Sequence, residues 1–417
     1  MEFRSHRLEN GMEIVAEANE EAHTTSIAFF VRTGSRDETD EVAGVSHFLE
    51  HMCFKGTPRR SADDVNREFD EIGAHYNAFT SEECTAYYAS MLPEYQEASV
   101  DLLADIMRPS LRPDDFAMEK KVILEEIQMY LDQPPFGMDD RIKQLHLAGH
   151  PIARSVLGTS ESITALTAEQ MRNYFQARYS PENVFVAAAG KIDFDALVEQ
   201  VATRCGAWQP QDARREAPRP RSQSRFEVVL RPSATQEYVL QLADAPASED
   251  DDRYAAKLLA TIVGDDSGSR MYWELTDSGL AESASLGHYE YLGVGMFYTW
   301  LACEPELLEE NLERLATIFA EVEAEGVTAE ELQQAKNKVK ARVVLSSERP
   351  RSRLFNVGGN WLQRREYRTV ANDLSALDGV TLETIRTVLD QYPFSRNSTI
   401  AVGPLADVAQ PRGRSQG

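Results

Sequence analysis

A chain of 417 residues, 42% hydrophobic and 27% charged, has the composition of an ordinary globular protein and is too long for one compact core, so two domains of about 200 residues each are expected. Its formal net charge of -25 excludes nucleic acid and anionic membrane as partners, because binding phosphate needs basic surface to release counterions. The four cysteines, Cys53, Cys84, Cys205 and Cys303, form no Cys-x-x-Cys pair, which indicates neither a disulfide framework nor a thiolate metal site and fits a reducing compartment.

The start, "MEFRSHRLENGMEIVAE", has no apolar run behind a basic segment, and no later stretch approaches 18 uninterrupted apolar residues. The expectation is a cytoplasmic protein with no membrane span, although a trimmed export signal would leave the same start. Alternating residues on either side of Asn10-Gly11 predict a hairpin, and "TTSIAFFVRTGS" predicts a further strand. A helix through "GVSHFLEHMCFKGT" follows, then one that begins at Ser61, whose spacing to Asp64 is a capping-box signature. "AHYNAFTSEECTAYYASML" reads as two strands, and "PEYQEASVDLLADIM" and "PDDFAMEKKVILEEIQMYLD" read as long helices. Strands mixed with helix pairs point to α+β layers.

The segment 206–225 changes character, with proline, glutamine and arginine and almost no apolar residues, and is expected to be a solvated linker despite its basic run. The two halves end alike: "LTAEQMRNYFQARYSPENVFVAAAGKID" and "VTLETIRTVLDQYPFSRNSTIAVGPLAD" both read as helix, proline-containing turn, buried strand, glycine and a new acidic start. The chain therefore reads as an internal duplication. The expected domains are 1–205, a linker at 206–225, and a homologous 226–417, each a mixed, mostly antiparallel sheet covered by helices. The second half reads "KLLATIVGDD" where the first has its histidine-bearing helix, so only the first copy is expected to carry metal.

On a helix, His47 and His51 lie one turn apart on one face, with Glu50 beside them. Two imidazoles at that spacing make a zinc half-site, which needs a third protein ligand and an open position for a water whose pKa the metal lowers towards 7. Glu50 is placed to take that water's proton rather than to ligate, since three adjacent ligands on one helix cannot all reach one ion with tetrahedral geometry. The third ligand must come from elsewhere. Glu119 and Glu126, seven residues apart, share a helical face with Val122 and Ile123, an expected buried stripe. A buried acidic pair is costly without a partner, and zinc would be one for Glu126, with Glu119 holding a histidine or the bound water.

Bland readings apply elsewhere. His146 and His150 share the same spacing but have no carboxylate between them, and Gly149 with Pro151 ends the helix, so the pair is read as structural. His6, His23, His75 and His288 are isolated.

"RTGSRDE", "GVSHFLEHMCFKGTPRRS", "IGAHYNAFTSEECTAYYASML" and "EKKVILEEI" closely resemble the inverted-zincin peptidases of the pitrilysin, insulinase and mitochondrial processing peptidase family. The likeness extends more loosely through "GSRMYWELTDSGLAESAS", "GVGMFYTWLA" and "VTAEELQQAKNKVKARVVL". The resemblance implies His47, His51 and Glu126 as ligands of one Zn2+ per chain, Glu50 as general base and Glu119 as the supporting carboxylate. It also implies that Asn77, Ala78 and Phe79 line an extended peptide added to an edge strand. Four homologous domains, from two chains, would enclose a chamber for peptides or unfolded segments. Zinc is the expected metal, and similar ligand sets also accept manganese or cobalt.

One departure stands out. Active members hold the scissile carbonyl with an arginine and, seven residues later, a tyrosine, whereas "ELTDSGLAESAS" is one residue shorter and puts Thr276 and Glu282 near those positions. The expectation is a zinc endopeptidase acting as a homodimer, or as a heterodimer whose zinc-less homologue supplies the Arg/Tyr pair. A non-catalytic structural or binding subunit of the same fold is the alternative. A small-molecule metallohydrolase is disfavoured by the edge strand and the chamber-building second domain.

Overall fold

A computed structural model describes residues 1–410. The first half contains strands β1 (Glu2–Arg7), β2 (Glu13–Ala18), β3 (Thr25–Val31), β4 (His75–Thr80), β5 (Thr85–Met91) and β6 (Val184–Gly190). Its helices are α1 (Val45–Cys53), α2 (Ala62–Glu71), α3 (Gln96–Ile106), α4 (Pro113–Asp132), α5 (Met138–Leu147), α6 (Ser160–Ala165), α7 (Ala168–Arg178) and α8 (Phe194–Cys205). The second half contains β7 (Phe226–Leu230), β8 (Glu237–Ala245), β9 (Ser283–Tyr291), β10 (Val294–Cys303) and β11 (Asn397–Gly403). Its helices are α9 (Arg253–Gly264), α10 (Leu308–Glu325), α11 (Ala329–Ser347), α12 (Pro350–Arg364), α13 (Val370–Gly379) and α14 (Leu382–Gln391). Among these residues no helix is long and apolar enough to cross a membrane.

The first sheet has the order β1-β2-β6-β3-β5-β4 and the second β7-β11-β8-β10-β9. Only the β2/β6 and β7/β11 pairs are parallel. With β1 set aside, the two orders coincide strand for strand, including the position of the parallel pair. The class is α+β with a duplicated, mostly antiparallel sheet, as the two matching sequence endings imply. Capping agrees as well. Ser61 Oγ accepts from the Asp64 N–H at 3.1 Å and opens α2, while Thr167 and Thr381 cap the corresponding helices α7 and α14 in the same way.

The compact units do not follow the single cut expected at 206–225. One unit consists of Met1–Met129, Arg154–Glu216 and Leu345–Arg368; the other of Tyr130–Ala153, Ala217–Val344 and the chain from Thr369 onward. Each half thus lends one helical segment to the other half's sheet. The reason lies in the strands: β3 and β6 are buried at every residue, so both faces of the first sheet need an apolar cover. One face packs on helices of its own half. The other receives Leu354 and Val357 of α12 against Val15, Phe30 and Phe185, and Gly358 lets the helix approach so closely that a Cβ there would lie 2.4 Å from the Phe30 ring. In the second unit α5 covers Leu240, Leu242 and Ile400 through Met138 and Ile142.

The segment 206–225 holds no helix or strand, yet its basic run is not simply solvated. Arg215 is pressed into the first unit, its Nε 2.9 Å from Asp37 Oδ1 and its Nη2 2.6 Å from the Glu83 carbonyl oxygen. In the second unit His146 Nδ1 lies 2.9 Å from the Gln223 carbonyl oxygen and His150 Nε2 2.8 Å from that of Pro218, so both histidines hold this segment down.

The docking of α12 includes a buried ion pair, with Arg353 Nε 2.8 Å from Glu17 Oε1 and side chains only 4% and 3% exposed. Tyr367 adds an O–H bond of 2.7 Å to the same carboxylate. Removing one member of such a pair strands the other's charge. Arg353→Ala is expected to cost about 3–5 kcal/mol in denaturant unfolding of the first unit. The Glu17→Gln/Arg353→Met double variant is expected to cost less than the single one.

Candidate metal centre

The helix that carries the motif is fixed at both its start and its face. Gly44, at φ +89°, turns the chain into α1 where a Cβ would meet the Leu157 carbonyl oxygen at 2.6 Å. The buried Glu38 carboxylate accepts the N–H groups of Gly44 and Ser46 at 2.7 and 2.8 Å, which satisfies donors that the first turn leaves open. Phe48, Leu49 and Met52 lock one side of α1 into the core, which leaves His47, Glu50 and His51 on the opposite side.

That side meets α4. Ile123 and Ile127 bury this helix, whereas Val122 is 42% exposed, so the buried stripe expected through Val122 and Ile123 runs through Ile123 and Ile127 instead. Glu119 and Glu126 project from the face so oriented. His47 Nε2 lies 3.8 Å from Glu126 Oε1, and His51 Nε2 lies 3.6 Å from Glu126 Oε2. The edge of a tetrahedron with zinc ligands at ~2.0–2.1 Å is about 3.4 Å, and the three donor atoms all lie within 4.8 Å of one another, a spacing that an ion would draw in. Among the described residues they form the one cluster of this kind.

The surroundings suit a divalent cation. His51 Nδ1 is 2.9 Å from Glu119 Oε1, which directs its Nε2 lone pair towards Glu126 and His47, and Lys55 Nζ holds the other Glu119 oxygen at 2.6 Å. Burial, together with the charge of His51, pushes the His47 imidazole down to about 4, so it is already neutral in ordinary buffer. Burial also opposes charge on His51, but the Glu119 hydrogen bond and the Glu126, Glu119 and Glu50 charges outweigh it and hold this imidazole above its usual value. Glu119 would be raised by burial, yet its bonds from His51 and Lys55 keep it below the usual carboxylate range. The residues therefore fit zinc: one neutral imidazole, one whose affinity for a proton is raised by the surrounding carboxylates, and a carboxylate facing both.

Glu50 stands apart from this donor triangle. Its Oε2 accepts the Thr80 hydroxyl at 2.6 Å, and burial raises its carboxyl pKa against the opposing effects of Thr80 and His51. Thr80 closes β4, the edge strand of the first sheet, which also carries Asn77, Ala78 and Phe79. Asn77 and Phe79 are exposed and Ala78 is buried, the alternation of an edge with one covered face. Glu38, Lys55 and Thr80 escaped the sequence reading, although Thr80 sits within the quoted "NAFTS" stretch.

The second copy differs. Lys257, Ala260 and Thr261 of α9, with Arg342 of α11, line a cavity of about 410 Å³. Asp265 and Asp266 also line it, and Arg342 and Lys338 both bind Asp265, at 2.5 and 3.0 Å, so that carboxylate is already neutralised by basic side chains. Thr276 ends the helical turn Tyr272–Thr276, and Glu282 takes a bond from the Gln236 amide. The nearby Arg270 is occupied by Glu331 at 2.8 Å.

Fold and site together define the class of inverted zinc proteases, whose motif reads His-x-x-Glu-His. The chain belongs to the insulinase family, peptidase family M16: the family model described as Insulinase (Peptidase family M16) matches residues 13–160, and that of the peptidase M16 inactive domain matches residues 165–339. It is similar to a protein of Mycobacterium leprae named as an uncharacterized zinc protease, 32% identical over 406 residues that span 96% of this chain and 91% of the relative. A probable mitochondrial-processing peptidase subunit beta of Arabidopsis thaliana is 27% identical, spanning 98% of this chain and 79% of the relative. Among solved structures, a protease from Helicobacter pylori shares the fold at a TM-score of 0.88 and 20% identity, covering 96% of this chain and 99% of that one. A peptidase M16 inactive domain from Pseudomonas fluorescens shares it at 0.91 and 18%, covering 99% and 100%.

Below the raised pKa of His51, zinc binding to this cluster would expel a proton from that imidazole, whereas His47, pushed down to about 4, would have none to lose in ordinary buffer. Measured by competition with a chelating dye, the apparent affinity is expected to rise by up to about tenfold per pH unit and to level off once the pH passes the raised pKa of His51. Glu119→Gln is expected to move that levelling to lower pH and to weaken zinc binding by about 10–100-fold.

Proposed function

We propose that this chain is a zinc-dependent endopeptidase, with His47, His51 and Glu126 holding one ion and Glu50 carrying the proton. The observation that supports this most is the juxtaposition of that donor triangle with a carboxylate outside it, itself bonded to an edge strand. Bound zinc would supply Lewis-acid polarisation of a scissile carbonyl and would acidify water.

The chain's own residues supply the rest. Asn77, Ala78 and Phe79 on β4 offer backbone groups at which an extended peptide adds as a further strand, a mode that tolerates many sequences. Glu50 takes the proton from the attacking water and passes it to the leaving amine, a role that suits a carboxyl whose pKa is raised by burial. Glu119 keeps His51 in the tautomer that presents Nε2. Substrates are peptides or unfolded segments, and a chamber built from two chains would limit their size.

The assembly follows from what is absent at positions 276 and 282. Thr276 and Glu282 offer neither a guanidinium nor a phenol to hold the carbonyl, and losing such a donor costs about 10²-fold or more. A heterodimer in which a zinc-less homologue supplies the Arg/Tyr pair meets that need, and the relative named as a subunit of a processing peptidase is consistent with it. A homodimer would have to do without the pair. The other reading, a non-catalytic subunit of the same fold, does not account for an intact set of five site residues.

Glu50→Gln is expected to keep one zinc per chain while lowering cleavage of an unfolded peptide mixture by about 10²–10⁴-fold, measured by mass spectrometry of the products. Cleavage unchanged by the substitution would remove Glu50 from the chemistry. A zinc-loaded wild type silent both alone and with a homologue carrying the Arg/Tyr pair would favour the non-catalytic reading.

A further inference from the structure

We propose that Thr80 is a positioning residue for Glu50: its hydroxyl decides which carboxylate oxygen carries the transferred proton, and it couples that oxygen to the strand that receives the substrate. The inference rests on the reading of Glu50 as proton carrier and extends it to the group that orients it.

The hydrogen positions follow from counting donors. Thr80 Oγ1 is 2.6 Å from Glu50 Oε2 and 3.4 Å from Thr85 Oγ1, its partner across the β4/β5 ladder. Thr85 Oγ1 also lies 3.1 Å from the Thr33 carbonyl oxygen, which can only accept, so the single hydroxyl hydrogen of Thr85 is committed there. The one hydrogen of Thr80 goes to the nearer, charged acceptor, Glu50 Oε2. The direction of the chain is thereby set, from Thr80 into Glu50 and from Thr85 into the Thr33 carbonyl just past the end of β3.

The consequence is chemical. An oxygen that accepts a short O–H bond is a poor seat for a second proton, so the proton that Glu50 takes resides on Oε1. When water adds to the carbonyl carbon, its O–H bond breaks as Oε1–H forms. When the C–N bond breaks, Oε1–H breaks as the amine N–H forms. Thr80 has no spare hydrogen and neither gains nor loses one. Because Thr80 directly follows Phe79 on β4, the same strand sets both the position of the added peptide and the orientation of the acid–base group.

The test compares Thr80→Val, which keeps the shape and removes the hydroxyl, with Thr80→Ser, which restores it. In metal-free protein the side-chain carboxyl carbon of Glu50 is followed by ¹³C NMR, assigned by its loss in Glu50→Gln. In zinc-loaded protein, kcat and KM are measured on an unfolded peptide alongside zinc content and Tm. The expected result is a displaced Glu50 resonance and a kcat about tenfold lower in Thr80→Val. KM is expected to stay within about twofold, with zinc and Tm unchanged and both effects reversed in Thr80→Ser. A Glu50 resonance unmoved by Thr80→Val, or a Thr80→Ser variant as impaired as Thr80→Val, overturns the proposal. If the wild type cleaves no peptide, the endopeptidase reading fails, and the resonance alone decides: moved by valine and restored by serine, it sustains the positioning; unmoved, it overturns it.

Discussion

A carboxylate buried on the inward side of a helix, as Glu119 is on α4, has to be neutralised where it stands, because burying an unpaired charge costs far more than a helix gains by packing, and the half-buried Glu126 follows it on the same side. In α4, Ile123 and Ile127 fix which side faces inward, so Glu119 and Glu126 cannot turn away without exposing the core. Glu119 is met by His51 and Lys55. Glu126 is met only by two imidazole edges at 3.6–3.8 Å, a separation too wide for hydrogen bonds and well suited to an ion between them. The capping of α1 by Glu38, the neutrality of His47 and the raised affinity of His51 for a proton all serve that same meeting of two helices.

The duplication shows how little has to change for a fold to gain or lose such a centre. Both sheets have one strand order, one parallel pair and one edge strand beside a helix that follows the third shared strand. In the second copy Lys257 and Thr261 line the cavity beside α9, and Arg342 of α11 reaches Asp265 rather than a metal. The strand order is common to both; what differs is a few side chains, His47, His51 and Glu126 in the first copy against Lys257, Thr261 and Arg342 in the second. The exchange of α5 and α12 between the units serves the sheets rather than the site, since strands apolar on both faces require two covers.

Much of this was legible in the residues. Helical spacing alone groups His47, Glu50 and His51, and the seven-residue interval brings Glu119 and Glu126 to one face; both hold in three dimensions. What periodicity could not resolve was the phase of the α4 stripe, because Val122 and Ile123 are adjacent apolar residues and only packing decides which is covered. The segment exchange was hidden because a helix's apolar face does not say which sheet it covers. Arg215 read as solvated for a similar reason: its acceptors, Asp37 and the Glu83 carbonyl, lie more than a hundred residues earlier in the chain. Thr80 was invisible because a lone hydroxyl on a strand acquires meaning only when a carboxylate from another element reaches it.

The central claim is that His47, His51 and Glu126 hold one metal ion. Diffraction from crystals of the zinc-loaded chain, recorded on either side of the zinc absorption edge, tests it without reference to activity. The account predicts one anomalous peak per chain, within about 2.0–2.2 Å of Nε2 of both histidines and an oxygen of Glu126, and none in the cavity lined by Lys257 and Arg342. A zinc-loaded crystal with no peak between the three residues, or with its peak on other side chains, would contradict it.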